Sequence, residues 1–82
     1  MTRSNSATNC LADLAVGGRG RVLNVVGCDE ISLRLLEMGL TPGVDVELLG
    51  TAPLGDPLEF DVRGYHLSVR KSEAQRVEIQ SL

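Results

Sequence analysis

The feature that most constrains this sequence is a pair of alternating segments that meet at the dipeptide Arg63-Gly64. Apolar residues occupy every second position on both sides of it: Leu58, Phe60, Val62, Tyr65, Leu67 and Val69. A two-residue loop that ends in glycine favours the tight turn of a β-hairpin. Because strand side chains alternate between two faces, the matching phases place both apolar sets on one face. The sequence therefore predicts a hairpin with one buried side.

Other short segments are also bounded by glycine and proline. Strands are predicted over about Gly20–Val26, from Val44 to about Gly50, and over about Arg76–Gln80. The valine and leucine content of the first suggests burial on both sides or a bend between sheets. Thr41-Pro42-Gly43 predicts a type II turn, and Ser72–Gln75 a turn or a one-turn helix. Short strands with such punctuation are typical of a small barrel or sandwich.

One helix is expected between the first two strands. Asp29 can cap its N-terminus, and Ile31, Leu35 and Met38 recur at helical spacing on the face expected to point into the core. Gly39 suits the left-handed position just past the last turn, with Leu40 folding back toward Leu35. Steps of about 100° per residue put Leu33 nearly opposite the apolar stripe, so it should face solvent.

The 82 residues fit one domain. We predict a flexible N-terminal arm over residues 1–10 and a folded domain over 11–82. The longest apolar runs are far shorter than the roughly 20 residues of a membrane-spanning helix, and the first nine residues lack the apolar stretch of a secretory signal. We therefore expect a cytoplasmic protein with no membrane insertion, in which Cys10 and Cys28 are free thiols. The net charge of −3 argues against nucleic-acid partners.

Three stretches carry a resemblance to a known family. They are Leu35-Leu36-Glu37-Met38-Gly39-Leu40-Thr41-Pro42-Gly43, Ala52-Pro53-Leu54-Gly55-Asp56-Pro57 and Leu67-Ser68-Val69-Arg70-Lys71-Ser72-Glu73-Ala74. In order and spacing they resemble the FeoA family, over about Leu11 to Ile79. The resemblance implies a mainly β fold, a small SH3-like barrel of about five strands with one short inserted helix. It also implies a cytoplasmic accessory protein that works with the FeoB-type membrane GTPase, which carries ferrous iron.

Two other functions are alternatives to binding and modulating that transporter. One is a metal-binding iron carrier or sensor. The other is a stand-alone regulatory domain related to the C-terminal domain of iron-dependent repressors. We favour this function less, because no DNA-reading domain precedes this sequence. No enzymatic activity is expected, because the chain has one histidine and no phosphate-binding glycine loop.

Partner-binding residues are predicted on the helix end with its following turn and on the Ala-Pro-Leu-Gly-Asp-Pro loop. The candidates are Leu33, Leu36, Met38, Leu40, Thr41, Pro42, Leu54, Gly55 and Asp56. Cap and turn geometry alone would also explain the special residues of both motifs. Leu33, Leu36 and Leu40 could together form an exposed apolar patch, and a weak homodimer is a further expectation.

The chain offers few soft or borderline metal ligands. Cys10, Cys28 and His66 are the only ones, and they lack the paired spacing of a structural zinc site. His66 on the outward phase of its strand, beside Glu59 or Asp61, could collect zinc weakly. We therefore expect that no cofactor is required, and that Zn²⁺ or Fe²⁺ binds weakly at candidates His66, Cys28 and Glu59.

Overall fold

A computed structural model describes residues 8–82 of the chain. Its elements, in chain order, are β1 (Thr8–Cys10), a 3-10 turn (Leu11–Asp13), β2 (Arg19–Val25), α1 (Glu30–Glu37), β3 (Asp45–Thr51), β4 (Leu58–Val62), β5 (Tyr65–Val69), α2 (Lys71–Ala74) and β6 (Val77–Ser81). The strands form one antiparallel six-stranded sheet in the order β1-β6-β2-β3-β4-β5. The expected mainly β fold with one short inserted helix is confirmed, with six strands where about five were expected.

The additional strand is β1, and it corrects the predicted N-terminal arm. Thr8, Asn9 and Cys10 pair with Gln80, Ile79 and Glu78 of β6. These residues therefore belong to the sheet, because their backbone groups complete one side of β6. The rest of the predicted arm, residues 1–7, lies outside the described residues.

The predicted hairpin is confirmed in its register. Val62 pairs with Tyr65, Phe60 with Leu67 and Leu58 with Val69. Arg63 and Gly64 both have positive φ, 53° and 90°, which matches the twist of a two-residue hairpin turn. Of the apolar set only Tyr65 is largely exposed, at 44%.

The valine- and leucine-rich segment of β2 is explained differently from either sequence interpretation. Val22 and Val25 are buried, whereas Leu23 between them is exposed. The pairing of β2 with β6 shifts register between Val22 and Asn24. A bulge of this kind bends the strand and re-aims its side chains, so the segment is buried on one side only, within a single sheet.

Helix α1 begins and ends as predicted. The Asp29 side chain accepts a hydrogen bond from the Ser32 backbone N–H at 3.1 Å. Gly39 follows the helix with φ +108°, and the Leu40 N–H donates to the Leu35 carbonyl at 3.2 Å, as in a Schellman cap. Ser32 is buried, which the helical pattern did not indicate, because its hydroxyl donates to the Val26 carbonyl at 2.8 Å.

The core collects the inward residues of all the longer strands and of α1. Its members are Leu11, Val22, Val25, Leu35, Leu40, Val44, Val46, Leu48, Leu58, Phe60, Val62, Val69, Ala74, Val77 and Ile79. Val44, Val46 and Leu48 are buried as their alternation predicted, and so are Val77 and Ile79. Among residues 8–82, no helix is long and apolar enough to cross a membrane.

Candidate functional site

The loop between β3 and β4, residues 52–57, is held in one shape by hydrogen bonds. The Ala52 N–H donates to the Pro57 carbonyl at 3.0 Å, and the Gly55 N–H donates to the Ala52 carbonyl at 2.7 Å. Gly55 has φ +87°, which glycine adopts without strain. The Lys71 N–H donates to Asp56 Oδ1 at 2.8 Å, which ties the loop to the first turn of α2.

Leu54 stands at the tip of this loop and is 96% exposed. A scattered exposed leucine is ordinary on a protein surface. This one is unusual because both loop ends are hydrogen-bonded and a side chain anchors the loop to α2, so little conformational freedom remains to be lost on binding. The loop therefore presents an apolar side chain in a fixed position.

The C-terminus of α1 is fastened to the hairpin through Tyr65. The Tyr65 hydroxyl donates to the Met38 carbonyl at 2.7 Å. A Cβ on Gly39 would clash with that hydroxyl, so glycine is required there for close approach as well as for its positive φ. Sequence reasoning found only the second requirement. The contact also explains why Tyr65 turns away from the core.

The residues predicted for the helix-end surface do not all reach the surface. Leu33 is 57% exposed, as its helical phase predicted, and Thr41 and Pro42 are exposed on the turn. Leu36 and Met38 are half-buried against the core. Leu40 is 0% exposed, so its assignment to an exposed apolar patch is wrong. The physical reason is the Schellman cap, which folds this residue back under the helix.

A groove of about 480 Å³ lies beside the loop, between α1, the end of β5 and α2. Its lining residues are Arg34, Met38, Asp56, Pro57, Ser68, Arg70 and Glu73. Glu73 is only 9% exposed, and its carboxylate accepts a hydrogen bond from the Arg34 guanidinium. This pair joins α1 to α2. Sequence reasoning assigned none of Arg34, Arg70 and Glu73 to a site, although the Leu67–Ala74 motif and the neighbouring charges of Arg70 and Lys71 drew attention to that part of the chain.

Two further ion pairs stabilise the sheet and the helix start. Asp29 accepts from Arg76 Nη1 at 2.7 and 2.9 Å. The Ser32 backbone N–H, followed by the Arg76 guanidinium, lowers the pKa of the Asp29 carboxyl. Arg21 Nε lies 2.8 Å from Asp45 Oδ1 and lowers the pKa of that carboxyl in the same way. Both pairs hold elements together and lie outside the loop and groove.

The predicted metal ligands do not form one site. His66 lies opposite Asp61, whereas Glu59 lies opposite Ser68. Cys28 is an exposed free thiol just before the helix cap. Within residues 8–82, no three His, Cys, Asp or Glu side chains are close enough together to hold a metal ion.

The other cysteine has a structural setting. Cys10 Sγ donates to Asp13 Oδ2 at 3.3 Å, next to the 3-10 turn. Burial, and then this contact, raise the pKa of the Cys10 thiol. A raised pKa keeps the thiol protonated, and it therefore makes Cys10 a poorer nucleophile and metal ligand.

The chain is similar to proteins that are named for iron transport. A relative from Porphyromonas gingivalis (strain ATCC BAA-308 / W83), an Fe(2+) transport protein A/Fe(2+) transporter FeoB fusion protein, is 30% identical over 70 residues. That match covers 85% of this chain and 8% of the fusion protein, so the chain spans a small part of this relative.

Solved structures share the fold over almost the whole chain. A FeoA-like protein from Clostridium acetobutylicum has a TM-score of 0.86 at 30% identity, covering 94% of this chain and 90% of its own. The FeoA of Stenotrophomonas maltophilia complexed with zinc has a TM-score of 0.76 at 31% identity, covering 87% and 88%. It is described as an SH3 domain protein, which confirms the expected SH3-like fold.

A manganese-dependent transcriptional repressor also has a TM-score of 0.83, over 92% of this chain and 37% of its own, but at 16% identity it shows a common fold alone. The family model for the FeoA domain matches residues 9–81, which is almost the whole of the described chain. The chain therefore belongs to the FeoA domain family, a family of ferrous iron transport.

Proposed function

We propose that this protein is a cytoplasmic accessory factor of ferrous iron uptake that docks on the cytoplasmic GTPase region of a FeoB-type transporter and biases its conformation or nucleotide cycle. The observation that carries the proposal is Leu54, 96% exposed on a loop that is hydrogen-bonded at both ends. A fixed apolar side chain of this kind can fill a pocket on a partner.

The partner is inferred from the Porphyromonas gingivalis relative, in which a domain like this one is joined to FeoB in one chain. Fusion keeps two domains at a high effective concentration, which serves domains that act on each other. The Stenotrophomonas maltophilia protein has been put forward as a bacterial ferrous iron transport activating factor, which is a role of the same kind.

The proposed mechanism needs no catalytic step by this chain. A domain that binds one state of the transporter more tightly than another shifts the population toward that state. Leu54 would provide affinity, and the Asp56 anchor would hold it in place. We favour a partner-binding module over a regulatory domain of a repressor, because only a common fold at 16% identity links this chain to the repressor.

A metal-binding carrier or sensor is the second candidate, and it is favoured by the zinc bound to the Stenotrophomonas maltophilia protein. In this chain the candidate is a weak surface site in which His66 and the opposite carboxylate of Asp61 share an ion with a second molecule. The protein would not need a metal at such a site in order to fold.

The test compares Leu54→Asp with Val16→Asp in binding to the isolated cytoplasmic region of a FeoB-type transporter. Val16 is a matched control, because it is also apolar and 65% exposed but lies on the turn before β2. We expect Leu54→Asp to weaken binding by about 2 kcal/mol, or about 30-fold in Kd, with melting unchanged. Equal affinities of both variants and the unmodified chain would show that the loop is not the docking element.

A further inference from the structure

Strand β5 has a free edge. It is the last strand of the sheet, and its only strand neighbour among residues 8–82 is β4. Val62 and Tyr65 flank the two-residue turn, so they form a hydrogen-bonded pair, and the bonded pairs alternate from there. The N–H and carbonyl groups of His66 and Ser68 therefore point away from the sheet.

These backbone groups have no partner among the described residues, in which no hydrogen bond of a turn or a side chain reaches His66 or Ser68. Exposed strand edges are usually protected by proline, lysine, a bulge or a covering segment. The five residues Tyr65–Val69 contain neither proline nor lysine, and the pairing with β4 is regular along their whole length. Helix α1 contacts this edge through Met38 and the Tyr65 hydroxyl, but no hydrogen bond among the described residues joins it to the backbone of His66 or Ser68, so these groups stay available to another strand.

The groove of about 480 Å³ adjoins the same edge, since Ser68 is one of its lining residues. Its volume falls within the range of about 300–1,000 Å³ that is usual for binding pockets. Three contacts fasten its walls to one another: Tyr65 to Met38, Arg34 to Glu73, and Lys71 to Asp56. The groove is therefore preformed, and a strand added to β5 would place alternate side chains in it.

The charges of the groove favour an acidic occupant. The Arg34–Glu73 pair is neutral as a whole, so the remaining charges of the lining are Arg70 and one exposed acid, Asp56. Arg70 forms no ion pair with any described residue. The following residue, Lys71, adds a further positive charge at the end of the edge.

Charge also disfavours two occupants supplied by this chain. Its own residues 1–7 contain Arg3 and no acidic side chain. In a second copy, the antiparallel register that satisfies both edge residues pairs His66 with the second copy's Ser68. That register brings Arg63 toward the second copy's Lys71, and like charges placed opposite each other are destabilising.

From this geometry we infer that the β5 edge and its groove are a second docking site, where an extended acidic segment of the transporter adds to the sheet as a further strand. The inference rests on the proposed function but uses residues other than Leu54, on a groove that borders the same loop through Asp56 and Pro57. The added segment would bond to the backbone of His66 and Ser68 and direct a carboxylate toward Arg70.

Proline at Ser68 tests the edge directly. On an edge strand whose N–H faces solvent, proline is compatible with folding but removes the donor that an added strand needs. Ser68→Ala is the matched control, because it keeps the N–H and loses only the hydroxyl. We expect Ser68→Pro to raise the Kd for the transporter's cytoplasmic region about tenfold, and Ser68→Ala to leave it unchanged.

Amide hydrogen exchange in the unmodified chain provides a second measurement that does not depend on how a variant folds. The His66 and Ser68 amides should exchange more slowly in the complex than in the free protein. Unchanged exchange, or unchanged affinity of a folded Ser68→Pro variant, overturns the inference. Protection that appears with rising concentration of the isolated chain would make a second copy the occupant and overturn it as well.

The outcomes separate the two proposals. Weak binding by Leu54→Asp with normal binding by Ser68→Pro leaves the proposed function standing and removes the edge site. Weak binding by Ser68→Pro alone supports the edge and removes Leu54 as the anchor. Absence of binding by the unmodified chain overturns both proposals together.

Discussion

The junction between α1 and the hairpin allows a quantitative test, because Gly39 there meets two separate requirements. Its φ of +108° would strain any residue with a Cβ, at a cost of about 2 kcal/mol. An added Cβ would also clash with the Tyr65 hydroxyl and break its hydrogen bond to the Met38 carbonyl, which contributes about 1 kcal/mol. Gly39→Ala should therefore lower the free energy of unfolding by about 3 kcal/mol.

The two contributions can be separated by a double-mutant cycle with Tyr65→Phe. This variant removes the hydroxyl and alone should lower the free energy of unfolding by about 1 kcal/mol. The ring atom Cζ would then lie 3.4 Å from the new Cβ, an ordinary contact. In the double variant only the backbone strain is added to the lost hydrogen bond, so the total should stay near 3 kcal/mol, about 1 kcal/mol below the additive sum.

Urea unfolding of the four proteins measures the cycle, and thermal melting gives a check of about 4–8 °C for each kcal/mol in a domain of this size. The coupling of about 1 kcal/mol exceeds the usual scatter of additive pairs, about 0.3–0.5 kcal/mol. Additivity within that scatter would refute the close approach of Tyr65 to Gly39. An unchanged stability of Gly39→Ala would refute the cap itself.

Three further predictions concern charge, metal and the helix surface. The pKa of Asp29 is lowered in the folded state, so the stability that its carboxylate contributes is complete above the unfolded pKa of about 3.9 and is lost as pH falls through the folded pKa. Asp29→Asn can still cap the helix but cannot titrate. In urea unfolding, this variant should therefore lose less stability than the unmodified chain below about pH 4. In titration calorimetry, zinc and ferrous iron should bind with a Kd no lower than about 1 μM, and the metal-free protein should be folded. A sub-micromolar Kd that is abolished by His66→Ala or Cys28→Ser would instead support the carrier function. Leu33→Asp should keep the melting temperature of the chain while weakening its self-association or its binding to the transporter. If the variant unfolds, Leu33 is part of the core. If it stays folded and both sedimentation and pull-down are unchanged, the helix is not a contact surface.

The elements that could be predicted from the sequence are those determined by a few consecutive residues. The hairpin followed from matching alternation around Arg63-Gly64, and the ends of α1 followed from Asp29 and Gly39. These features depend on backbone sterics and on side chains within one turn, which the local sequence contains. The loop motif likewise identified Leu54 and Asp56 as candidates before their geometry was known.

The features that escaped prediction join residues far apart in the chain. Thr8–Cys10 forms a strand because it pairs with the otherwise unpaired side of β6. Arg34 contacts Glu73 because α1 and α2 line the same groove. Leu40 is a local exception: the predicted cap already folded it back toward Leu35, and its burial shows that only its assignment to an exposed patch was wrong.

The sequence by itself thus determined five of the six strands, where α1 begins and ends, and which family the chain resembles. The tertiary structure alone decided the order of the strands, and therefore that β5 carries the free edge beside a preformed groove. The physical reason is that a strand's own pattern specifies which face is buried but not which neighbours satisfy its backbone groups. That choice depends on the path of the whole chain.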